Sequence, residues 1–147
     1  MRLIDARPDQ DGQVPGVDHC LLQVMAIPGA IGASIVDHTT GFAVATAGAV
    51  PDADHEAAAA GAAEVVQAAN SRSPFVSAMP HDLLEELIIT TAGAYHLLRP
   101  VQTDFDSRLV LYLWLDRIHG NLALARRRMQ RLADELVVGV ARGKEEW

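Results

Sequence analysis

The sequence predicts an α+β domain built on a five-stranded antiparallel sheet with helices on both faces, in the order α-β-β-α-β-β-β-α. Three observations lead to this fold class. Apolar side chains recur at helical spacing from Val17 and again from Leu122, with an alanine-rich helical segment between them. Five short strand-like runs are separated by turn residues. In the last run, "RLVLYLWLD", both alternating sets of side chains are apolar, so both faces of its sheet must be covered.

Length and composition predict one domain with a substantial core. The chain has 147 residues, of which 50% are apolar and 21% charged. A chain of this length buries roughly two-thirds of the surface that it exposes when unfolded. We expect a flexible N-terminal arm over residues 1–16, the domain over residues 17–141 and a frayed tail over residues 142–147.

The first half of the domain is predicted to be a short helix followed by a β-hairpin. The helix carries an apolar stripe from Val17 to Met25 that includes Cys20, and Pro28-Gly29 stops it. "AIGASIVD" and "GFAVATAG" then alternate as strands around "DHTTG", in which Asp37 and Gly41 are typical turn residues.

The second half is predicted to be one helix, three strands and a long closing helix. Asp52 or Asp54 caps the middle helix, which ends near Asn70. The strands are expected at residues 84–91, 94–101 and 108–116, and Asn121 caps the last helix, which ends near residue 141. Simple connectivity places the middle helix on one face of the sheet and the two terminal helices on the other.

Alanines surround the middle helix over about two turns, more than packing on its own sheet requires. They could be residues of high helix propensity on a solvated face. Alternatively, small side chains let a second helix approach closely across a two-fold axis, and an edge strand "LEELIITT" could pair with its symmetry mate. The second interpretation predicts a homodimer with these interface residues: Ala59, Ala60, Ala63, Val66, Leu87, Ile89 and Thr91.

Charge and cysteine content argue against several classes of protein. The formal net charge is -7, which disfavours nucleic acid and anionic membrane surfaces as partners. A single cysteine, Cys20, allows no internal disulfide. The N-terminal residues lack the apolar segment of a signal peptide, and "LVLYLWL" is too short to span a bilayer. We expect a cytoplasmic protein without membrane insertion.

The sequence offers no catalytic, cofactor or metal motif. The six histidines are scattered without metal-ligand spacing and are expected mostly in turns or at the surface. Glu85 and Glu86 are adjacent in a predicted strand and point to opposite faces. "GAIGAS" has a G-x-x-G spacing but opens a strand, whereas phosphate-binding glycines lead into a helix. We therefore expect no catalytic residue, no metal and no cofactor.

Basic residues cluster at one place, in "ARRRMQR" of the last helix. Arg126, Arg127, Arg128 and Arg131 lie within two helical turns. They are either a solvated helix face, with Arg131 and Glu135 paired at i,i+4 spacing, or a surface for an acidic partner.

The hairpin "PGAIGASIVDHTTGFAVATAG" entered from a short helix, the alanine-rich helix after it and the ending "RLVLYLWLDR...NLALARRRMQRLADEL" together resemble the Roadblock/LC7 family. The resemblance covers Val17 to Val140 and is greatest with the bacterial, particularly actinobacterial, branch. It implies the profilin-like Roadblock architecture and a homodimer formed by residues 54–70 and 84–91. It also implies a small Ras-like GTPase, or a protein linked to a sensor kinase, as the partner, with the protein acting as an activator or scaffold.

A sensory domain of the PAS or GAF type is the alternative function. Domains of this size with a sheet and helices also bind small ligands, provided that a cavity offers a few polar anchors. The predicted strands supply only Ser34, Thr46 and Thr90 for that purpose. The interaction module is therefore the preferred hypothesis.

Overall fold

A computed structural model describes residues 16–70, 74–79, 82–101 and 108–145, with only the backbone described for residues 137–145. Its elements follow the predicted order. The helices are α1 (Val17–Met25), α2 (His55–Asn70) and α3 (Leu122–Glu145), and the strands are β1 (Ala30–Asp37), β2 (Phe42–Gly48), β3 (Leu87–Thr90), β4 (Ala94–Val101) and β5 (Leu109–Asp116).

The five strands form one antiparallel sheet in the order β2-β1-β5-β4-β3. The fold class predicted from the sequence is confirmed. Strands β2 and β3 are the two edges, and the chain crosses from one to the other through α2 and the segment after it. β5 lies in the centre between β1 and β4, which is why its side chains are apolar on both faces.

The two faces of the sheet carry cores of different size. On one face, α1 and α3 pack together and cover the large core that contains Leu111, Leu113 and Met129. On the other face, α2 packs mainly on β1 and β2 through small side chains. The predicted division of the helices between the faces is therefore confirmed, and Cys20 is a buried core residue of α1. Burial raises the pKa of the Cys20 thiol to about 12.

Local signals place the ends of most elements. The Asp37 carboxylate accepts hydrogen bonds from the backbone N–H groups of Thr39 and Thr40, and Gly41 takes a positive φ of 81°, which closes the hairpin. Asp54 accepts from Ala57 N at 3.0 Å and Asn121 accepts from Leu124 N at 3.0 Å, as expected of helix N-caps.

Two boundaries differ from the prediction. β3 begins at Leu87 rather than at residue 84. Continued pairing in the same register would place Glu85 opposite Pro100, which has no N–H to donate to the ladder. α3 continues to Glu145, because "ARGKE" contains mostly good helix formers. Of the predicted N-terminal arm, only Gly16 is among the described residues.

Candidate functional site

An open cavity of about 290 Å³ lies between α2 and the β3 edge of the sheet. We call it the α2–β3 groove. Its α2 wall consists of small apolar residues, and its floor is formed by strands β3, β4 and β5. The residues that line it are Pro51, Asp52, Ala57, Ala58, Gly61, Ala62, Val65, Ile89, His96, Leu98 and Tyr112.

The groove exists because side chains on this side of α2 are too short to reach across the sheet. Ala58, Ala62 and Val65 are only partly buried, and Gly61 is exposed, with nothing within 4 Å of the position that a Cβ would take. On the opposite wall, Ile89 of the edge strand keeps 38% of its surface exposed. The alanine-rich sequence of α2 thus leaves an apolar surface that the described residues do not cover, beside the outer edge of β3 in the sheet.

The floor of the groove contains a stack of aromatic side chains. His96 of β4 lies opposite Trp114 of β5 in the sheet. Its imidazole is nearly parallel to the rings of Tyr112 and Trp114, with centroids 5.9 and 6.3 Å away. His96 Nδ1 and Tyr112 Oη are 2.7 Å apart and form a hydrogen bond. Burial lowers the pKa of His96 and raises the pKa of Tyr112 to about 12, so the phenol keeps its proton at neutral pH.

The β3 edge is tied to the other face of the molecule by an ion cluster. Glu86, the residue before β3, accepts a hydrogen bond from Arg126 Nε at 2.9 Å and contacts its NH2 nitrogen at 2.7 Å. Arg99 Nη1 lies 3.5 Å from Glu86 Oε2. The Glu86 and Arg99 side chains are each 14% exposed. One carboxylate therefore joins the start of the edge strand to β4 and α3.

The structure revises the α2 residues that the sequence assigned to a dimer interface. Ala59, Ala63 and Val66 are buried against this chain's own sheet, so no second molecule can reach them without unfolding the protomer. Helical periodicity gives a stripe of small residues but does not say which stripe faces the sheet. Ala60 is exposed and lines a smaller cavity, of about 220 Å³, beside the β-hairpin.

The three predicted interface residues in or next to β3 have different environments. Leu87 is partly buried and packs beneath α2, whereas Ile89 points into the groove. Thr91 is exposed, and its hydroxyl accepts a hydrogen bond from Ala94 N in the β3–β4 turn. Of these three residues, Ile89 and Thr91 are thus the ones that a second molecule could contact.

In the arginine cluster, one side chain is held in an ion pair with the start of the edge strand and others are exposed to solvent. Arg126 is held by Glu86. Arg131 keeps 67% of its side chain exposed and has its Nε 4.0 Å from Glu135 Oε1, at the predicted i,i+4 spacing. Arg127 is exposed and Arg128 is half-buried. These side chains lie on α3, across the sheet from the α2–β3 groove.

The described residues contain no group of three or more histidine, cysteine, aspartate or glutamate side chains that could hold a metal ion. Asp37, next to His38, has its carboxylate engaged by Thr39 and Thr40 in the turn. Burial acts to raise the Asp37 pKa, but these hydrogen bonds and Arg108 lower it. No described helix is long and apolar enough to cross a membrane.

The aromatic stack is a feature that sequence reasoning does not reach. The histidines are expected mostly in turns or at the surface, yet His96 lies inside strand β4. The i,i+2 spacing of Tyr112 and Trp114 indicates that they share a face of β5. Bringing His96 beside them requires the β4–β5 register, which the sequence does not show. Of the three polar groups considered for a ligand cavity, Ser34 and Thr46 are buried and Thr90 is exposed.

Comparison with known proteins supports the fold alone. No protein-family model and no curated protein sequence matches the chain. Among solved structures, a Roadblock/LC7 domain from Streptomyces avermitilis is similar with a TM-score of 0.60 and 14% identity, over 78% of this chain and 88% of that one.

Two MglB structures are also similar. The gliding protein MglB from Thermus thermophilus has a TM-score of 0.67 and 15% identity over 84% of this chain and 87% of that one. MglB from Myxococcus xanthus has a TM-score of 0.64 and 19% identity over 90% of this chain and 91% of that one. Identities this low carry information about the fold alone. The element order, the sheet topology and these similarities together show that the chain has the Roadblock/LC7 fold.

Proposed function

We propose that the protein is a homodimeric, non-catalytic interaction module that binds and regulates a small Ras-like GTPase in a bacterial signalling system. The observation that carries the proposal is the open apolar groove beside the free edge of β3. Such an edge has unpaired backbone N–H and C=O groups, and a second copy can satisfy them by antiparallel pairing about a two-fold axis. That pairing would turn two five-stranded sheets into one of ten strands.

The same symmetry brings a second α2 to the groove side of the sheet. An axis perpendicular to the sheet keeps both α2 helices on one face, with each small-residue wall turned toward the other copy. Gly61 and the alanines beside it allow close approach of a second backbone, and Ile89 supplies apolar area to bury. Phe75 and Met79, which precede β3 in the chain, are also exposed, by 79% and 72%.

The GTPase part of the proposal rests on the resemblance to the Roadblock/LC7 family. A dimer formed through the α2 side leaves the α3 side available, including the exposed Arg127 and Arg131. Guanidinium groups bind carboxylate and phosphate groups in bidentate geometry, so this surface suits an acidic region of a partner. The partner's nucleotide would be hydrolysed by its own residues, ordered by contact with the module.

The dimer is tested by substitutions on the two sides of α2. Gly61→Arg and Ile89→Asp place charge in the groove without filling the protomer core, and we expect both to give folded monomers in sedimentation velocity. Ala60→Arg is the matched control, because Ala60 is exposed on the hairpin side, and we expect it to remain dimeric. A dimer that survives Gly61→Arg and Ile89→Asp but not Ala60→Arg would move the interface to the hairpin side.

The GTPase is tested by affinity capture from the source organism's lysate, with GDP in one sample and a non-hydrolysable GTP analogue in the other. We expect a GTPase to be retained preferentially with one nucleotide, and Arg127→Glu with Arg131→Glu to reduce its retention. The purified GTPase then allows GTP turnover to be measured with and without the module. Absence of any GTPase from both samples would contradict this partner while leaving the dimer intact.

A further inference from the structure

His96 lies where the proposed second copy would cover it. Its imidazole is on the groove floor, opposite Trp114 on one side and Ile89 of the edge strand on the other. It is only partly buried in the protomer. A molecule seated on the groove would therefore remove the water that still reaches this ring.

The groups around His96 do not favour a charged imidazolium. β5 presents Tyr112 and Trp114, and β3 presents Ile89. The residues of α2 that line the groove are Ala57, Ala58, Gly61, Ala62 and Val65, none of which titrates. The segment before α2 contributes Asp52, the one carboxylate among the described groove-lining residues, and no ion pair joins it to His96 within the described chain.

The acidic residue of β5, Asp116, already has a hydrogen-bond partner. Asp116 lies two residues beyond Trp114, and its carboxylate is hydrogen-bonded to His119 in the following turn. His96 has Tyr112 as its polar partner, and this phenol keeps its proton and can donate to a neutral Nδ1. Protonation of Nδ1 converts that acceptor into a donor and removes the hydrogen bond in this direction.

Building on the homodimer proposed above, we propose that His96 makes assembly through the α2–β3 groove sensitive to pH: the covered groove accepts the neutral imidazole, and protonation of His96 separates the two copies. By symmetry the second copy presents the same apolar α2 wall, and Asp52, before α2, is the one carboxylate among the described residues of the groove lining that it brings. Covering the ring in apolar surroundings adds to the cost of charging it.

The direction of the effect follows from proton linkage. Burial already lowers the pKa of His96 in the protomer, below the ordinary value of 6.5, and covering it lowers the pKa further. The dimer then binds fewer protons than two free protomers, so it is most stable above the His96 pKa of the free protomer. The dimer weakens as the pH falls through the pKa of the free protomer. Two copies of His96 allow up to two protons to be taken up on dissociation.

The test measures the dimer dissociation constant by sedimentation at pH 7.5, 6.5 and 5.8, with far-UV circular dichroism at each pH to show that the fold is intact. We expect the constant to rise as the pH falls below the pKa of the free protomer, by up to about a hundredfold per pH unit when both rings take up a proton. His96→Gln, with His96→Asn as a second variant should the first fail to fold, is expected to lose this dependence. His19→Gln is the control, because His19 is exposed on α1, and we expect it to retain the dependence of the parent protein.

The outcomes separate this inference from the dimer itself. A dimer with the same dissociation constant at all three pH values overturns the role of His96 but leaves the dimer standing. A pH dependence that persists in His96→Gln assigns the effect to another group and also overturns the inference. A protein that is monomeric at pH 7.5 at every concentration overturns both proposals.

Discussion

Two glycines of the first strand region allow backbone segments to pack in direct contact. Gly29 has a φ of 88°, and a Cβ there would lie 2.5 Å from the Cα of Gly120, two residues before α3. A Cβ on Gly32 would lie 1.6 Å from the carbonyl oxygen of Ala49. The G-x-x-G spacing of "GAIGAS" is therefore explained by two close backbone approaches, one at each glycine.

Gly32→Ala is expected to destabilise the protein by at least about 2 kcal/mol, because the new methyl group meets backbone atoms that can move only if β1 and β2 separate. Urea unfolding followed by circular dichroism measures the change. Gly93→Ala is the matched control: its Cβ meets nothing within 4 Å and its φ is not positive, so the change should alter stability by less than about 0.5 kcal/mol. Equal stability of Gly32→Ala and the parent protein would contradict the packing argument.

Among the elements, β3 depends most on its neighbours. It is four residues long, lies at an edge and is bonded to β4 on one side. Glu86 fixes its start through Arg99 and Arg126. A short edge strand opens locally at low cost unless side-chain contacts hold it, and the proposed interface requires it to be ordered before pairing.

Glu86→Gln is expected to destabilise the protein by on the order of 2 kcal/mol, between the values for exposed and buried ion pairs, because it leaves the largely buried Arg99 without its countercharge. Amide hydrogen exchange should show loss of protection concentrated in β3. Glu85→Gln serves as the control, since Glu85 is exposed. Similar exchange in both variants would mean that the ion cluster does not hold the edge strand.

In the molecule as a whole, the two layers of core differ in the size of their side chains. Leucine, isoleucine and methionine fill the layer between the sheet and the α1–α3 pair, whereas alanine and valine dominate beneath α2. Larger side chains bury more apolar area per residue. The α1–α3 layer is therefore expected to supply most of the stability of the protomer, while α2 remains the layer open to a partner.

Leu111→Ala tests this distribution at the centre of the larger layer. Leu111 is completely buried, and we expect its truncation to cost about 3 kcal/mol through lost burial and the cavity left behind. Thermal and urea unfolding measure the loss. Leu22→Ala, at a position on α1 that is 53% exposed, should change stability by less than about 1 kcal/mol. Comparable losses in the two variants would show that the core is not organised as described.

The sequence was informative wherever a signal is local. Asp37 and Gly41 predict the hairpin turn, Asn121 predicts the start of α3, and the doubly apolar pattern of "RLVLYLWLD" predicts a strand covered on both faces. Each of these features depends on a few neighbouring residues and on periodicity. The element order, the antiparallel sheet and the division of helices between its faces could be predicted for this reason.

Tertiary structure decided which stripe of α2 faces the sheet and which side chains meet across strands. When alanines occur on all sides of a helix, periodicity does not indicate which side faces the sheet, so Ala59 and Ala63 could be assigned to the wrong surface. Only packing distinguishes these two residues from Gly61. The stack of His96 on Tyr112 and Trp114 depends on the register between β4 and β5, and the Glu86–Arg126 pair joins residues 40 positions apart. Contacts of this kind arise from chain segments that are distant in sequence, and local propensity carries no information about them.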